Sequence, residues 1–267
     1  MSRYERMFSA CKAKNEGAFI PFVVLNDPDP KTSKMIIDAL IKGGADALEL
    51  GIAFSDPLAD GPTIQKADLR ALRSGSTVES ALKLLSEVRK EHEHLPIGIL
   101  TYANLVERRG RDHFYQACQK AGADSVLVAD VPLLEHQPYQ ESALAHGIDP
   151  VLIAPPNLPE KRLSCIAKEG RGYTYVVTRS GVTGADAQLN LSHRELLAGL
   201  ARYDAPPPVF GFGIATPAHV KTALKEGAAG VISGSQVVSI IEENLSNVAK
   251  MLQRLEQFTR DMKAATR

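Results

Sequence analysis

The feature that most constrains this chain is a regular alternation of short apolar segments and amphipathic segments along its 267 residues. Eight apolar runs of strand length occur, each followed by a stretch with the apolar spacing of an α-helix. The predicted strands are residues 18–25, 47–52, 96–102, 125–130, 150–154, 173–177, 208–212 and 230–233. Continuous apolar strands that alternate with helices favour a parallel sheet covered by helices, and eight such units predict an α/β fold of the (β/α)8 type.

Two further helices extend this scheme. Residues 3–14 form an amphipathic segment ahead of the first strand. Residues 235–242 are compatible with a short helix after the eighth strand, before a final helix that begins near Asn247. We therefore expect a (β/α)8 TIM barrel with an extra N-terminal helix and a short helix after strand 8, in a single domain that spans residues 1–267. The alternative, an open doubly wound sheet, usually has fewer units.

A short sequence pattern that is repeated along the chain, here called the echo, predicts that one carboxylate lies inside the barrel. In three segments a glycine ends a helix, a tight turn of small residues follows, and a strand begins. These segments begin at Gly44, Gly122 and Gly227. In this register Glu49 occupies the position of Leu127 and Ile232. If these two apolar side chains point into the barrel, then Glu49 does so as well.

Carboxylates near the carboxyl ends of the strands are candidates for proton transfer, because TIM-barrel active sites lie at that end. Glu49 is near the end of its strand, and Asp60 lies in the loop that follows. A carboxylate that faces an apolar barrel mouth is costly to ionise, which suits a catalytic acid or base. The alternatives are a structural ion pair for Glu49 and a turn or capping role for Asp60. Asp56 is more typical of loop architecture. Asp130 ends the fourth strand and is a further candidate by position, but the Val131-Pro132 that follows indicates a turn role.

Glycines after the seventh and eighth strands predict a phosphate site. Gly213 follows the seventh strand, and Gly234 and Ser235 follow the eighth, where the short helix would begin. Loops after these two strands and the N-terminus of an extra helix recurrently bind phosphate in TIM barrels. The loop 180–184, after the sixth strand, would be a third contributor. A dinucleotide site is disfavoured because residues 211–216 lack the third glycine of the fingerprint.

Inward positions of the strands predict an apolar pocket suited to a flat aromatic group. They are Phe22, Leu100, Leu127, Ile153, Tyr175, Phe212 and Ile232. Taken singly, each is better explained by core packing, so only the whole set indicates a pocket.

Composition argues against several other classes. Lys plus Arg and Asp plus Glu both number 31, so the formal net charge is zero and nothing favours nucleic acid or an acidic membrane surface. The chain has no signal-peptide core and no apolar run of about 18 residues, which favours a cytoplasmic protein. Cys11, Cys118 and Cys165 have no metal-ligand spacing, and His92 and His94 do not share a helix face. We therefore expect reduced thiols, no metal site and no Schiff-base lysine.

Several short motifs follow one another in a fixed order. They are Leu48-Glu49-Leu50-Gly51, the run FSDPLADGPTIQ from Phe54 to Gln65, Tyr102-Ala103-Asn104, Asp130-Val131-Pro132, Ser180-Gly181-Val182-Thr183-Gly184, Gly211-Phe212-Gly213-Ile214 and Ser233-Gly234-Ser235. No single motif is decisive, but the ordered set closely resembles the tryptophan synthase alpha chain family. The resemblance covers essentially the whole length.

The resemblance implies a lyase that cleaves indole-3-glycerol phosphate to indole and D-glyceraldehyde 3-phosphate by a retro-aldol reaction. Cleavage requires protonation of indole C3, deprotonation of the neighbouring glycerol hydroxyl, and relief of positive charge at the ring N–H. By the family's pattern Glu49 is the general acid and base at C3 and the hydroxyl, while Asp60 stabilises or removes the N1 proton.

The resemblance also implies the substrate contacts. The indole would be held by Phe22, Leu100, Leu127, Tyr175 and Phe212. The phosphate would be held by Gly184, Gly213, Gly234 and Ser235. Thr183, in a mobile loop, would close over the site and position Asp60, which would exclude water.

A partner is implied as well. The expected partner is a beta chain that carries pyridoxal phosphate, receives indole through a tunnel and completes an alpha-beta-beta-alpha tetramer, so this chain itself needs no cofactor. The partner surface would include Ala53, Asp56, Asn104 and Pro132. The sequence departs from the family's pattern at Ala53, where proline is usual, and at Asn26, where glycine is usual. Because proline restricts loop conformations, Ala53 would loosen the contact loop.

Two kinds of alternative function stay open at this point. One is a different phosphate-binding barrel enzyme, such as an isomerase, a free-standing indole-3-glycerol-phosphate lyase or the indole-glycerol-phosphate synthase. The synthase would need a lysine at a strand end, and none is found. The other is a non-catalytic barrel that only activates a partner. The presence of both Glu49 and Asp60 argues against it.

Overall fold

The computed structural model describes residues 1–156, 158–177 and 193–267. Within these residues parallel strands and helices alternate. The strands are β1 Ala18–Val24, β2 Leu48–Gly51, β3 Ile97–Thr101, β4 Ser125–Val128, β5 Asp149–Pro150, β6 Leu152–Ala154, β7 Thr174–Val177, β8 Pro208–Gly211 and β9 Gly230–Ser233. The helices are α1 Arg3–Ala13, α2 Pro30–Lys42, α3 Pro62–Arg73, α4 Val78–Glu91, α5 Ala103–Glu107, α6 Arg111–Ala121, α7 Gln137–Ala145, α8 Glu160–Glu169, α9 Arg194–Arg202, α10 Pro217–Lys225, α11 Ser235–Glu242 and α12 Val248–Ala264.

The sheet closes into a barrel. Its strand order is β5-β4-β3-β2-β1-β9-β8-β7-β6, so β5 and β6 are its two edges. These edges are one stretch of chain interrupted only at Val151, whose N–H donates to the Val126 carbonyl at 3.1 Å. The predicted (β/α)8 barrel is therefore confirmed, with its fifth strand in two short pieces. The short helix after the last strand is confirmed as α11.

The predicted echo corresponds to repeated turn geometry. Gly44, Gly122 and Gly227 all have positive φ, at 101°, 92° and 108°, a conformation that glycine adopts without a steric penalty. In two of the repeats the aspartate that follows accepts a hydrogen bond from the neighbouring strand: Asp46 from the Phe19 N–H and Asp124 from the Ile97 N–H, each at 2.8 Å. These two turns thus fix the starts of β2 and β4 against their neighbouring strands.

Helix α1 closes the amino end of the barrel. Ser2 and Glu5 form a capping box that starts the helix. Tyr4 is buried, shares a hydrogen bond of 2.9 Å with the Ser125 hydroxyl, and packs on the Tyr173 ring at a centroid distance of 5.4 Å. The predicted N-terminal helix is confirmed, and it fills the end of the barrel opposite the candidate site.

Helix α5 was not predicted. It has only five residues and one buried apolar side chain, Val106, so it is too short for a 3.6-residue period to show. The other predicted bounds differ from the observed ones by a few residues at the ends, where helices fray and strands stop pairing.

Asn26 is a position where the resemblance implies glycine. Its φ is +68°, in the left-handed region that glycine favours and asparagine tolerates better than most residues. The Asn26 amide nitrogen donates to the hydroxyls of Ser76 and Ser80 at 2.9 and 3.0 Å. Asparagine therefore keeps the glycine-like turn and adds side-chain bonds to it.

Apolar side chains fill the barrel and two layers between the strands and the outer helices. Cys11, Cys118 and Cys165 are free thiols, as predicted. Among the described residues, no helix is both long enough and apolar enough to cross a bilayer.

Candidate active site

A cavity of about 450 Å³ opens at the carboxyl ends of the barrel strands. Strand register explains its lining: Glu49 on β2 pairs with Phe22 on β1, and Leu100 on β3 pairs with Leu127 on β4, so these side chains share the inner face. All seven predicted inward residues line the cavity, namely Phe22, Leu100, Leu127, Ile153, Tyr175, Phe212 and Ile232. The echo therefore predicted the direction of the Glu49 side chain correctly.

Glu49 is a buried carboxylate with a neutral hydrogen-bond donor. Its side chain is 2% exposed, and the Tyr173 hydroxyl donates to Oε1 at 2.7 Å. Among the described residues no lysine or arginine forms an ion pair with it, which favours the catalytic interpretation over a structural ion pair. The pKa of Glu49 is raised to about 7, mainly by burial and to a smaller extent by the nearby Asp60 charge, while the Tyr173 hydrogen bond lowers it. At neutral pH the group can therefore both give and accept a proton.

Tyr173 was not singled out from the sequence. It lies directly before β7 and is held on its other side by the Tyr4 ring of α1. A signal was present, because Tyr173 is two positions from Tyr175 and side chains at that spacing share one face of a strand. The contact itself joins positions that are far apart in the chain, so only the closed barrel reveals it.

Asp60 is a second carboxylate that lines the cavity. The Tyr102 hydroxyl donates to its Oδ2 at 2.6 Å, and the Gln65 side chain holds its backbone carbonyl at 2.8 Å. Burial raises the pKa of Asp60 and the Tyr102 hydrogen bond opposes this shift. The capping alternative is wrong, since Gly61 is the N-cap of α3.

A third carboxylate, Asp68, lies behind the loop that carries Asp60. Its Oδ1 accepts from the Phe54 N–H at 3.4 Å, while its buried Oδ2 has no hydrogen-bond partner among the described residues. Burial and the charge of Asp60 raise the pKa of Asp68 to about 8. The sequence contained a signal for it, because Asp68 is one helical turn from Ile64 on the apolar face of α3.

The glycine-rich end of the cavity lies across from the carboxylates. Gly213, Gly234 and Ser235 all line it, and Ser235 is the first residue of α11. The first N–H groups of a helix lack intrahelical partners, and the helix dipole favours an anion there. Gly213 has a φ of +76°, and Phe212, with a φ of +66°, turns its ring towards Tyr175. Two predicted site residues, Thr183 and Gly184, lie outside the described residues.

The predicted partner surface is only partly exposed. Asp56, Asn104 and Pro132 lie on the surface, whereas Ala53 is 6% exposed and packs in the barrel layer. Asp130 accepts a hydrogen bond of 2.8 Å from the Ala103 N–H, which is the loop role expected for it. Ala53 can therefore influence this surface only through the backbone of its loop.

Two exposed leucines adjoin the predicted surface residues. Leu58 is 80% exposed and Leu134 is 69% exposed, although both are large apolar side chains. Exposed apolar groups are typical of interaction surfaces when they lie together. Leu58 follows the predicted contact Asp56 by two residues, and Leu134 follows the predicted contact Pro132 by two residues.

Comparison with known proteins shows which family this chain is similar to. The family model described as tryptophan synthase alpha chain matches residues 8–267. The chain is 54% identical to the tryptophan synthase alpha chain of Cronobacter sakazakii, with 100% of this chain and 99% of that protein covered. It is 55% identical to the alpha chain of Yersinia pseudotuberculosis, with both chains covered in full at 100%.

Solved structures agree with the sequence relatives. Mycobacterium tuberculosis tryptophan synthase has a TM-score of 0.88 at 30% identity, covering 100% of this chain and 98% of that chain. The tryptophan synthase α2β2 complex of the hyperthermophile Pyrococcus furiosus has a TM-score of 0.84 at 35% identity, covering 92% and 98%.

Proposed function

Because the chain belongs to the tryptophan synthase alpha chain family, we propose that Glu49 and Asp60 are the catalytic carboxylates of its lyase reaction. The alpha chain cleaves indole-3-glycerol phosphate to indole and D-glyceraldehyde 3-phosphate and needs no cofactor of its own. Its partner is the beta chain, which holds pyridoxal phosphate and uses the indole. The observation that carries the assignment of residues is a buried carboxylate with a pKa near 7, in a cavity that also contains a helix N-terminus.

Glu49 supplies one proton and takes one back. In its acid form it protonates indole C3, which weakens the bond from C3 to the glycerol carbon. The resulting carboxylate then removes the proton of the adjacent glycerol hydroxyl as that oxygen becomes the aldehyde carbonyl. The electrons of the broken bond return to the ring and restore indole. A pKa near the operating pH is what such a dual role requires.

Asp60 acts on the ring nitrogen. Protonation at C3 places positive charge on N1, and a carboxylate that accepts the N1 proton or hydrogen bond stabilises it. The Tyr102 hydroxyl orients Asp60 and favours its charged form, because the hydrogen bond opposes the effect of burial on the pKa.

The remaining cavity residues would hold the substrate at both ends. The apolar set formed by Phe22, Leu100, Leu127, Tyr175 and Phe212 suits the flat indole ring. Gly213, Gly234 and Ser235 suit the phosphate, since backbone N–H groups and a helix N-terminus favour an anion. The family's pattern adds Gly184 to the phosphate contacts and Thr183 to loop closure.

The partner surface is assigned to Asp56, Asn104 and Pro132, with Ala53 acting through its loop. The exposed side chains of Leu58 and Leu134 support this assignment. We further infer a single domain over residues 1–267, an alpha-beta-beta-alpha tetramer like the α2β2 complex of the Pyrococcus furiosus relative, and a cytoplasmic location.

Indole release from indole-3-glycerol phosphate tests the role of Asp60. Asp60→Asn should lower kcat by about 10²-fold or more, because an amide cannot accept the N1 proton. Asp56→Asn is a matched control, since it removes an exposed carboxylate from the same loop. A rate for Asp60→Asn close to that of Asp56→Asn would contradict the assignment.

The same assay distinguishes the subunit function from a free-standing lyase. Addition of the purified beta chain should accelerate indole release, because the partner loop borders the catalytic loop residue Asp60. A rate that does not change over a saturating range of beta chain would favour a free-standing enzyme.

A further inference from the structure

Three potential metal ligands converge away from the active site, between α7 and α8. They are His136, Cys165 and Glu169, whose ligand atoms all lie within 4.8 Å of one another. Cys165 and Glu169 are one turn apart on α8, and His136 is the N-cap residue of α7. His136 is 7% exposed and the other two are half-buried. The sequence predicted no metal site because these ligands come from two helices and have no local spacing.

The environment of the His136 ring points to a cation. Its Nδ1 faces the Leu133 carbonyl oxygen at 2.5 Å, so Nδ1 carries a proton and donates it. Its Nε2 faces the Glu169 carboxylate. A carbonyl and a carboxylate are both acceptors, so a neutral imidazole can satisfy only one of them. Either a second proton or a metal ion must lie on the Nε2 side.

This geometry matches that of metal-binding histidines. Such a residue almost always donates its other ring N–H to a carbonyl, a carboxylate or water, which fixes the tautomer and the ring orientation. The Leu133 carbonyl serves that purpose for His136. A further hydrogen bond links α7 to α8, since the Gln140 side-chain amide donates to the backbone carbonyl of Glu169 at 3.1 Å.

The position of Glu169 also favours a bound cation. It is the last residue of α8, where the negative end of the helix dipole disfavours a carboxylate. Among the described residues, its ion-pair partner is His136, with no lysine or arginine bridge. A divalent ion would compensate both the carboxylate and the helix end.

We propose that His136, Cys165 and Glu169 bind Zn²⁺ through Nε2, the thiolate and a carboxylate oxygen. A nitrogen, sulfur and oxygen set suits this borderline-soft ion, and a water molecule would complete the tetrahedron. Bonds of about 2.0 to 2.3 Å place tetrahedral ligand atoms within about 4 Å of each other, so small side-chain movements complete the site. On binding, the ion displaces the thiol proton to solvent.

A second group of comparable composition provides a contrast. Asp38, Glu91 and His92 also bring their ligand atoms within 4.8 Å. Here the Lys34 ammonium already binds Asp38 at 2.7 Å and Glu91 at 2.8 Å. Because a lysine supplies the positive charge at this exposed cluster, it carries no metal proposal and serves as a control.

Zinc at the His136 site would join α7 to α8. The loop that ends at His136 also carries Pro132, one of the residues assigned to the partner surface. The ion would therefore hold this loop in place next to the beta chain, without touching the catalytic cavity.

Isothermal titration calorimetry of the full chain with Zn²⁺ tests the proposal. A non-chelating phosphine reductant keeps the Cys165 thiol reduced during the titration. We expect one saturable site, and we expect Cys165→Ser and His136→Ala each to weaken binding by about 10-fold or more. Asp38→Asn should bind as the parent does. Co²⁺ should give a sulfur-to-metal charge-transfer absorption in the parent that is absent from Cys165→Ser. Indole release at the parent rate verifies that each variant is folded.

Three results would overturn the proposal. The first is no saturable binding of Zn²⁺ by the parent chain. The second is binding that persists unchanged in both Cys165→Ser and His136→Ala. The third is a loss of binding in Asp38→Asn instead. If either ligand variant fails to fold, Glu169→Gln provides the same comparison, with the same expected loss.

Discussion

Replacement of Glu49 by glutamine tests the catalytic cavity through two separate quantities. Glutamine keeps the size of the side chain and an acceptor for the Tyr173 hydroxyl, but it cannot donate or accept the catalytic proton. We expect kcat for indole release to fall by about 10²- to 10⁴-fold, the usual contribution of a general acid or base. Binding of a phosphate-bearing product should be retained, because the glycine-rich end of the cavity is unchanged.

The second quantity is the free energy of unfolding, and its sign follows from the raised pKa. Glu49 titrates near 7 in the folded chain against an ordinary value of 4.5. The folded state therefore holds this proton more tightly than the unfolded state, and stability is lost as pH rises from the lower value to the higher one. A shift from 4.5 to about 7 corresponds to about 3 kcal/mol at 1.36 kcal/mol per unit.

Glutamine does not titrate, so the Glu49→Gln variant does not lose this unfolding free energy as the pH rises. Relative to the parent, Glu49→Gln should gain about 3 kcal/mol of unfolding free energy between pH 4 and pH 8, with most of the gain above pH 5. Urea unfolding of both proteins at a series of pH values measures the difference. Asp56→Asn, measured in parallel, accounts for the removal of one surface carboxylate. Parallel pH curves for Glu49→Gln and the parent, or near-parent indole release, would refute the reasoning.

Other substitutions test the supports of the site and its surface. Tyr173→Phe removes the hydrogen bond that lowers the pKa of Glu49, so the pH profile of kcat should move to higher pH by about one unit; an unmoved profile would contradict this role. Gly211→Ala would place its Cβ in steric overlap with the Tyr175 hydroxyl. It should cost about 1–3 kcal/mol of unfolding free energy in urea denaturation and raise KM. Leu58→Ser should leave the stability of the isolated chain within about 0.5 kcal/mol but weaken beta-chain activation of indole release, because this leucine is exposed.

The direction of the Glu49 side chain could be predicted because it depends on local rules. A strand alternates its side chains with a period of two, and the repeated glycine turns set where each strand begins. The five-residue helix α5 and the break at Val151 could not be predicted, since both are shorter than the periods by which a sequence reveals its structure.

The electrostatics of the site were only partly predictable. That a carboxylate in an apolar barrel would be hard to ionise follows from residue type and position. That Asp68 would join it, with an oxygen that lacks a partner among the described residues, was not predictable, because helical spacing places Asp68 on the buried face without showing what its side chain meets there. Likewise, Ala53 was assigned to a surface by family pattern, yet its side chain is buried and only its loop reaches that surface.

The sequence by itself determined the number and order of the strand and helix units, the positions that face the barrel, and the family. These properties depend on residues that are neighbours in the chain, so periodicity and short motifs are enough to express them. The tertiary structure decided which groups meet: Tyr173 with Glu49, Tyr102 with Asp60, and His136 with Cys165 and Glu169. It also decided the pKa values, because burial depends on how the whole barrel closes and not on any one segment.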